Sequence, residues 1–579
     1  MLRRGWLTLL LLSLLGTSVF SLAEDGWNRD HDHNNRIKHV LLISIDGMHS
    51  LDFQNCVNGI GNVQPFCPNL AALANNGVSY TNASTSRPSD SFPGLMAIVT
   101  GGSPKTVGAF YDVAYDRVLA PPMNTTGNGV AGGTCTPSQP NGTTTEYEEG
   151  IDKDQSVISG GGDSGVGSID PTRLPRDPYN GCKPVYPWQF VRTNTIFGVI
   201  HQAGGFAAWS DKHPAYSSVA GRGGIQNLDD FYAPEINSNV LNNTLNVTTP
   251  EGVNCKQIPD STLKASSQYT DSFVAIQCYD TVKVNAILNE INGKTMRGNS
   301  WAPVPTVFGM NFQAVSVGQK LIEKGVGTGG YEDAAGTPSQ LLQGEIKFAD
   351  DSIGEMVAAL KKNHLLDSTL IVITAKHGQS PMDPNRYVGV PGPNGTAESP
   401  ATILDGLGLI PLSESPSDPT GIGPTEDDIS QIWLNDMSKT DFAVQQLELP
   451  QNASQAGIGQ IFYDQSLTTM FNAPGYPVFT GVKPVGDPRT PDIIVAPNYG
   501  IVYTGSSKKQ AEHGGFSHDD TNAIMLLSNP SFRAKSVNVP VETMQVAPTI
   551  LRALGLDPDA LDAVRIEGTS VLPAVQFGD

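Results

Sequence analysis

The sequence predicts an α/β fold with a mainly parallel central sheet, helices on both faces and loop-rich insertions along one rim. Short apolar runs rich in β-branched residues, typical of buried strands, alternate with helical segments over most of the 579 residues. Strands buried on both faces are usual in parallel sheets, whose connections are helices. Long stretches rich in Gly, Pro, Asn and Thr follow the ends of predicted strands, so we expect them to form a cap.

Composition and charge limit the class of function. Hydrophobic residues make up 39% of the chain and charged residues 16%, as in globular proteins. The formal net charge of −21 argues against a nucleic-acid-binding surface, which needs clustered Lys and Arg. A small anionic substrate is still possible, because a local metal ion or lysine can outweigh the field of the whole chain.

The N-terminus indicates export. Arg3 and Arg4 precede an apolar run at residues 7–15, and small residues at 21–23 offer a cleavage site. We therefore predict a signal peptide over residues 1–23, too short to span a membrane, and a polar linker over residues 24–37. No other stretch is long and apolar enough to span a bilayer, so we expect a secreted protein without a membrane anchor after cleavage.

An exported chain can form disulfides and carry N-linked glycans. The cysteines are even in number and all lie in the first half of the chain, which predicts disulfides. Sequential pairing is the simplest of the connectivities that six cysteines allow. Asn-x-Ser/Thr sequons predict a glycoprotein, and they occur at Asn82, Asn124, Asn141, Asn242, Asn246, Asn394 and Asn452.

The first predicted strand covers residues 38–45 and is followed by Asp46 and Gly47. Its apolar residues run without interruption, which is typical of a strand buried on both faces. In open α/β sheets, ligands bind beyond the carboxyl ends of the strands. Asp46 is therefore a candidate metal ligand or acid/base group, and an Asp-Gly turn after a core strand is the alternative.

Ser91 is the candidate nucleophile. We predict that it caps a helix that runs to Val99. Its oxygen would then lie beside free backbone N–H groups and the positive helix end, which would also help to hold a phosphoryl group. An ordinary capping serine is the simpler interpretation of the residue taken alone. Ser89 and, behind it, Thr85 are the rival nucleophiles.

The remaining chain continues the alternation. Helices are predicted over residues 68–74, 195–204, 279–291, 338–360 and 549–554, and strands over 78–80, 206–209, 303–310, 368–374, 490–496 and 523–527. Loop-rich insertions are predicted at about 113–190, 217–275 and 390–485. The helix from residue 338 is the most regular, because apolar side chains recur at three- and four-residue steps after a capping box at 337–340.

Polar candidates share a position just past a predicted strand or in a polar loop before one. Because the carboxyl ends of parallel strands meet at one edge of a sheet, several of them should lie together near Ser91. They are Asp46, Asp211, His213, Lys376, His377, Glu512, His513, His518 and Asp519.

The order and spacing of several short motifs resemble those of the alkaline phosphatase superfamily, most closely the type I phosphodiesterase/nucleotide pyrophosphatase family. The resemblance covers most of residues 38–575 apart from the insertions. It implies an alkaline-phosphatase-like catalytic domain over residues 38–579, with a three-layer α/β/α sandwich. The motifs lie at residues 44–47, 68–70, 88–93, 373–378, 513–514 and 547–551.

The resemblance also implies a chemistry. Members of this family cleave phosphoesters with two divalent metals, usually zinc, and with a Thr or Ser nucleophile that binds one of them. The metals lower the pKa of the nucleophile and neutralise charge on phosphoryl oxygens. By this resemblance Asp46, Ser91 and His377 bind one metal, His513 binds the other, Ser91 attacks phosphorus, and the substrate is a small anionic phosphoester.

Three positions depart from the family pattern. Lys376 stands where the family has an aspartate before the histidine. Residues 311–319 contain no equivalent of the family's Asp-x-x-x-His ligands. Gly94 replaces an asparagine.

These departures leave three interpretations. In the first, which we favour, one metal is held by Asp46, Ser91 and His377, alone or with Asp211 or His213, while Lys376 supplies positive charge, as lysines do in sulfatases of the same superfamily. In the second, a second zinc takes its missing ligands from elsewhere in the chain. In the third, the fold has lost catalysis and the protein is a secreted glycoprotein. The spare ligands for the second interpretation are Asp211, His213, Glu512, His518, Asp519 and Asp520.

Overall fold

An eight-stranded sheet lies at the centre of the protein, for which we describe a computed structural model. In space its strands, numbered in chain order, run β8-β2-β7-β6-β1-β5-β3-β4. Strand β7 is antiparallel to both of its neighbours, β6 and β2, and all other pairs in this sheet are parallel, which confirms the predicted mainly parallel α/β sheet. The strands are β1 (His39–Ile45), β2 (Gly77–Tyr80), β3 (Ala207–Ser210), β4 (Asp230–Tyr232), β5 (Val307–Phe312), β6 (Thr369–Thr374), β7 (Leu526–Ser528) and β8 (Lys535–Val537).

The predicted signal peptide lies outside the described residues, as do the linker up to residue 36 and the sequons at Asn141, Asn242 and Asn394. The structure describes residues 37–577 except 125–131, 133–134, 139–141, 148–149, 241–242, 258–267, 391–397, 411–423, 465, 468–469, 471–486 and 505–506.

Helices pack on both faces of the sheet and complete the predicted three layers. The described helices are α1 (Ser50–Asn58), α2 (Pro68–Ala74), α3 (Ser91–Thr100), α4 (Pro104–Val107), α5 (Pro187–Phe190), α6 (Ile196–Gln202), α7 (Phe273–Ile291), α8 (Ala314–Lys320), α9 (Gln340–Lys362), α10 (Pro400–Asp405), α11 (Thr440–Leu447), α12 (Pro450–Gln455), α13 (His518–Thr521), α14 (Val546–Ala553) and α15 (Asp562–Glu567). None of them is long and apolar enough to cross a membrane.

Side chains of β1 alternate between two hydrophobic cores, one on each face of the sheet. Val40 and Leu42 pack with α3 and α14, whereas Leu41 and Ile43 pack with α7 and α9. This alternation follows from the two-residue period of a strand, and burial on both faces explains why β1 is apolar throughout. The long helix α9 is capped by Ser339, whose side chain accepts from the N–H of Leu342, so the helix begins two residues later than predicted.

The register of β1 sets the position of the polar residues that follow the central strands. Ser44 pairs with Thr374 of β6 and with Asn311 of β5. Asp46 and Lys376 therefore leave the sheet at the same level, two residues beyond this row. The same edge receives the ends of β3 and β4, because both run parallel to β5 in the sheet.

The insertions contain more regular structure than predicted. The segment predicted as loop over 217–275 contributes β4, so that expectation was wrong there. The predicted strand 490–496 exists but does not join the central sheet. It belongs to a separate antiparallel sheet made of Pro424–Glu426, Ser430–Ile432, Ile493–Pro497 and Ile458–Tyr463.

The smaller sheets pair two strands each. They are Ala83–Ser84 with Val541–Glu542, Val113–Asp116 with Thr143–Glu146, Arg176–Asp177 with Lys183–Pro184, Ile322–Glu323 with Gly327–Thr328, and Val388–Gly389 with Ile501–Val502.

Three disulfides join the cysteines in sequential pairs, which confirms the simplest predicted connectivity. They are Cys56–Cys67, Cys135–Cys182 and Cys255–Cys278. The second of them closes the insertion at 113–190, and the third ties the start of α7 to the preceding segment.

Candidate active site

The ends of β1, β3 and β6 and the start of α3 bring a group of polar side chains together at one edge of the sheet. The protein interior is an unfavourable place for so many polar groups unless they pair with one another. All of the following are buried: Asp46, Ser91, Asp211, Lys212, His213, Lys376 and His377.

Ser91 lies between two nitrogen atoms. Its Oγ is 3.2 Å from Nε2 of His377 and 3.2 Å from Nζ of Lys212. The residue is the first of α3, and Asp90 rather than Ser91 is the N-cap, so the predicted capping role is wrong by one residue. The N–H of Phe92 donates to Oδ1 of Asp112 at 2.6 Å, so this amide is not open to a phosphoryl group.

The hydrogen bonds of His377 determine which of its ring nitrogens is free to react. Nδ1 lies 2.8 Å from the carbonyl oxygen of Gly378 and must donate its hydrogen, because a carbonyl oxygen only accepts. In the neutral ring, Nε2 then carries the lone pair. That atom faces Ser91 and lies 3.6 Å from Oδ2 of Asp46, so it can bind a metal or accept a proton.

The carboxylate of Asp46 accepts two amide hydrogen bonds. Asn311 donates to Oδ1 at 2.7 Å and Gln313 donates to Oδ2 at 2.6 Å. Burial on its own would raise the pKa of Asp46, but the positive charge of Lys376, with smaller contributions from His377 and Lys212, outweighs it and holds this pKa well below its usual range. Asp46 is therefore a permanent negative charge in the site.

Two lysines bring positive charge to the same place. Nζ of Lys376 donates to Oδ1 of Asp211 at 2.9 Å, lies 3.9 Å from Oδ2 of Asp46 and sits 4.0 Å from the centre of the Tyr216 ring. Burial, together with the nearby Lys376, lowers the pKa of Lys212 to about 7.

His513 reaches the site from the loop before α13. Its ring stacks on that of His377 with centroids 3.9 Å apart, and its Nδ1 is 3.1 Å from Oδ1 of Asp90. Burial and the neighbouring His377 lower the pKa of His513 to about 4. Glu512 lies 3.9 Å from Nε2 of His513 and forms ion pairs with Lys320, at 3.4 Å, and with Lys509.

Other candidates from the sequence lie apart from Ser91. The side chain of His518 is 81% exposed on α13. Asp519 accepts from the N–H of Met382 and from the hydroxyl of Tyr499 at 2.9 and 2.7 Å. His213 turns away from Ser91 and contacts Glu235, with 2.8 Å between Nδ1 and Oε2.

The two rival serine and threonine hydroxyls are engaged with the backbone. Ser89 donates to the carbonyl oxygen of Asp520, and Thr85 donates to that of Lys376. Neither hydroxyl therefore has the two nitrogen neighbours that surround Ser91.

Gly94 is explained by the backbone beside it. A Cβ atom at this position would lie 2.0 Å from the carbonyl oxygen of Lys376, a separation that real Cβ atoms do not show. The asparagine that the resemblance implies at this position cannot fit against the chain as Lys376 runs here. The two departures from the family pattern are thus in direct contact.

Sequence reasoning missed Lys212, Asn311 and Gln313 as parts of the site. The sequence does carry a signal for Lys212, because this residue lies between Asp211 and His213 just past a predicted strand. The two amides carry no ligand signature in the sequence, and only the parallel pairing of β5 with β1 shows that they face Asp46.

A cavity of about 460 Å³ opens onto this group of residues, and its lining includes Lys212, Gln313 and His513. This volume is in the usual range for small-molecule sites. Three further lysines line the cavity, Lys320, Lys508 and Lys509, and each of them forms an ion pair with a carboxylate of the same lining, Glu512 or Asp271.

The donor atoms of Asp46, Ser91 and His377 are spaced as the ligands of one metal ion would be. Oδ2 of Asp46 and Oγ of Ser91 lie 3.6 and 3.2 Å from Nε2 of His377, which matches the spacing of ligands that share one ion with bonds of about 2 Å. A carboxylate, a hydroxyl and an imidazole suit zinc and leave a position open for substrate. For a second ion, His513 has no carboxylate or histidine partner from residues 311–319, where Asn311 and Gln313 act as amide donors to Asp46.

A family model for type I phosphodiesterase/nucleotide pyrophosphatase matches residues 40–137 and 328–520 of the chain. These ranges include Asp46, Ser91, His377 and His513. The chain belongs to the type I phosphodiesterase/nucleotide pyrophosphatase family. It is a hydrolase of the phosphodiesterase/nucleotide pyrophosphatase type.

Solved structures of ectonucleotide pyrophosphatase/phosphodiesterase 5 are similar to this family member over most of their length. The murine protein is 12% identical with a TM-score of 0.49, and the alignment covers 90% of this chain and 96% of that one. An inactive murine variant in complex with AMP gives the same values. The human protein is 12% identical with a TM-score of 0.48, covering 90% of this chain and 95% of that one. No curated protein sequence matches significantly.

Proposed function

We propose that the protein is a secreted, metal-dependent hydrolase of phosphodiester or nucleotide pyrophosphate bonds, with Ser91 as the nucleophile. The observation that carries this proposal is the position of Ser91 Oγ, 3.2 Å from both His377 Nε2 and Lys212 Nζ. A buried serine hydroxyl that contacts two nitrogens is arranged for loss of its proton, which is what a nucleophilic serine needs.

The proposed reaction proceeds in two steps. Ser91 Oγ forms a bond to phosphorus as the bond from phosphorus to the leaving oxygen breaks. Lys212, whose Nζ faces Oγ, is placed to take up the serine proton. Water then attacks the phosphoserine ester, releases the phosphoryl product and restores Ser91.

Positive charge around Ser91 suits an anionic transition state. Lys376 is held in place by Asp211, at 2.9 Å between Nζ and Oδ1, and stands near Asp46, where the family has a second carboxylate. A fixed ammonium group in a buried site stabilises the charge that develops on phosphoryl oxygens. The cavity beside these residues, of about 460 Å³, has room for the remaining parts of a small substrate.

One divalent metal ion completes the proposal. Asp46, Ser91 and His377 would hold it, and their oxygen and nitrogen donors favour zinc. When bound, such an ion supplies Lewis-acid stabilisation of phosphoryl oxygens and lowers the pKa of the nucleophile.

The proposal is tested by hydrolysis of bis-p-nitrophenyl phosphate and of p-nitrophenyl esters of nucleotides. We expect turnover by the purified protein, inhibition by a chelator, and loss of turnover in Ser91→Ala. Ser89→Ala is the matched control, since it removes a hydroxyl two residues away and should keep activity. Unchanged turnover in Ser91→Ala would refute the role of this serine.

Sulfate esters are the second candidate substrates. The pair of lysines beside Ser91 favours this alternative, because sulfatases of the same superfamily combine one metal with lysines. The same enzyme preparation should be offered p-nitrophenyl sulfate, and a higher kcat/KM for sulfate than for phosphate esters would select this function. A folded, metal-loaded protein that turns over neither ester would instead be a catalytically degenerate glycoprotein.

Secretion is part of the proposal. Three disulfides fit an oxidising compartment. Expression of the full chain in a eukaryotic secretion host should release glycosylated protein whose N-terminus lies near Glu24. Retention of the chain inside the cell with an intact N-terminus would contradict it.

A further inference from the structure

A second group of potential metal ligands lies outside the Ser91 site. Among the described residues, Asp152, His213 and Glu235 have one ligand atom each within 4.8 Å of one another. Their exposed fractions are 0%, 2% and 0%. They come from three separate parts of the chain, namely the insertion at 113–190, the end of β3 and the segment after β4.

The carboxylate of Asp152 is poorly satisfied. Both of its oxygens are buried without a hydrogen-bond partner among the described residues, apart from its own backbone and the neighbouring carboxylate of Glu235. A buried carboxylate in this state is strongly unfavourable, and native proteins rarely leave one so. The arrangement therefore favours a bound cation, or a proton shared between the two carboxylates.

The neighbouring carboxylate of Glu235 increases the need for a cation or a proton beside Asp152. Its carboxylate lies beside that of Asp152, and burial together with this neighbour raises the pKa of Asp152 to about 10. Oε2 of Glu235 also contacts Nδ1 of His213 at 2.8 Å, and Oε1 accepts from the N–H of Asn237 at 2.9 Å. The charge of Arg173 acts in the opposite direction on this pKa without cancelling the rise, and its guanidinium donates to the carbonyl oxygen of Gly150 at 3.3 Å.

The backbone holds Asp152 in this position. A Cβ atom on Gly160 would lie 2.2 Å from Oδ1 of Asp152, so the chain at Gly160 closes over the carboxylate and leaves no room for a larger residue. The His213 ring is stacked parallel to that of Tyr216, with an angle of 17° between their planes. The cluster is thus enclosed and ordered.

We propose that Asp152, His213 and Glu235 bind a divalent transition-metal ion, zinc or manganese, at a structural site separate from the Ser91 centre. One imidazole nitrogen with carboxylate oxygens suits these ions, whereas calcium and magnesium prefer ligand sets made of oxygen alone. Because the three residues are buried, an ion bound by them would be shielded from solvent.

Such an ion would join the insertion to the ends of β3 and β4. It would also fix the segment that carries Lys212, the residue before His213, whose Nζ contacts Ser91. The inference does not depend on the role proposed for Ser91, because the donor atoms belong to different side chains.

The competing explanation is a shared proton. If Asp152 is protonated and donates to Glu235, no metal is needed. Asp152→Asn separates the two cases, because an asparagine amide replaces the proton donor but cannot replace a carboxylate ligand. Asp154→Asn is the matched control, since the same change then falls in the same loop on an exposed side chain that is hydrogen-bonded to Ser156.

The experiment measures bound metal by mass spectrometry and Tm on the full-length purified protein. We expect Asp152→Asn to contain one metal ion fewer per chain than Asp154→Asn. We also expect a chelator to lower the Tm of the wild type, zinc or manganese to restore it, and calcium or magnesium to have no such effect. Equal metal content in Asp152→Asn and Asp154→Asn, with equal or higher Tm for Asp152→Asn, would establish the shared proton and overturn the proposal.

A second variant keeps the test decisive if Asp152→Asn does not fold. His377→Gln removes a ligand of the Ser91 centre and leaves Asp152, His213 and Glu235 unchanged. One ion per chain retained in His377→Gln, located at Asp152 by anomalous scattering, supports the second site. A metal-free His377→Gln protein with unchanged Tm overturns it, whereas loss of activity in that variant concerns only the proposed function.

Discussion

Lys376 donates a hydrogen bond of 2.9 Å from Nζ to Oδ1 of Asp211, and both side chains are fully buried. The pair connects the ends of β6 and β3 across the two strands that lie between them in the sheet. It replaces, in this chain, the metal-bound carboxylate that the family resemblance implies at position 376. A buried ion pair of this kind is costly to break from one side, because the remaining charge has no partner.

Lys376→Met should therefore destabilise the protein strongly. We expect the free energy of unfolding in urea to fall by about 3–5 kcal/mol, since Asp211 is left charged and buried. The double variant Lys376→Met/Asp211→Asn should recover part of this loss but none of the hydrolytic activity. A Lys376→Met protein as stable as the wild type would show that the ion pair between Lys376 and Asp211 makes no net contribution to the free energy of unfolding.

Lys212 should affect kcat more than KM. Lys212→Met removes the group placed to take the proton of Ser91, and general-base contributions of this kind are about 10²–10⁴-fold in kcat. Lys212→Arg places a permanently protonated group beside Ser91, which cannot accept the serine proton, so we expect it not to restore kcat. Steady-state kinetics on a p-nitrophenyl phosphodiester distinguish these outcomes, and equal kcat values for Lys212→Met and the wild type would remove Lys212 from the mechanism.

Gly94→Ala should destabilise the protein although alanine is the better helix former. The added Cβ would meet the carbonyl oxygen of Lys376 at 2.0 Å, and overpacking of this kind costs about 1–3 kcal/mol. Gly344→Ala is the matched control within α9, because a Cβ there meets nothing within 4 Å. It should raise the free energy of unfolding by about 0.5–1 kcal/mol. A stabilising Gly94→Ala would mean that the backbone at Lys376 can move aside.

Asp492 should make stability depend on pH. Burial raises its pKa from 3.8 to about 6, although Arg117 beside it acts in the opposite direction. Between these two values the folded state binds more protons than the unfolded state, so stability falls as the pH rises from about 4 to about 7. The shift corresponds to about 3 kcal/mol in total.

The measurement is urea unfolding at pH steps across this range, taken as the difference between the wild type and Asp492→Asn. As the pH rises, the free energy of unfolding of Asp492→Asn should increase relative to that of the wild type. Asp367→Asn, at an exposed position, should track the wild type at every pH. A pH-independent difference for Asp492→Asn would refute the assignment.

The fold could be predicted from sequence where local periodicity coincides with burial. β1 is apolar throughout because it is buried on both faces, and α9 repeats apolar residues along one side, so both were identified within two residues. β4 was missed because it has three residues, Asp230–Tyr232, which are too few to show the two-residue alternation of a strand. The antiparallel direction of β7 has no sequence signal, because direction is decided by the connection between strands.

The site was predictable where residues follow strands that end at the same edge of the parallel sheet. Asp46 and His377 lie together because β1 and β6 are neighbouring parallel strands, and Nε2 of His377 faces Ser91. The group Asp152, His213 and Glu235 could not be predicted as a unit. Asp152 lies in an irregular insertion and Glu235 follows a strand that the sequence does not reveal, so the contact exists only in three dimensions.

The position of β2 has a consequence for how the chain is made. Residues 77–80 pair on both sides with strands from the last part of the chain, residues 526–528 and 535–537. During synthesis, β2 therefore has no partner strand until nearly all of the polypeptide has emerged, and an unpaired strand edge promotes association with other chains. A premature stop before residue 526 would leave an incomplete sheet that no disulfide can repair, since all six cysteines lie upstream. Truncated chains should therefore fail to fold, so that only the full-length protein accumulates.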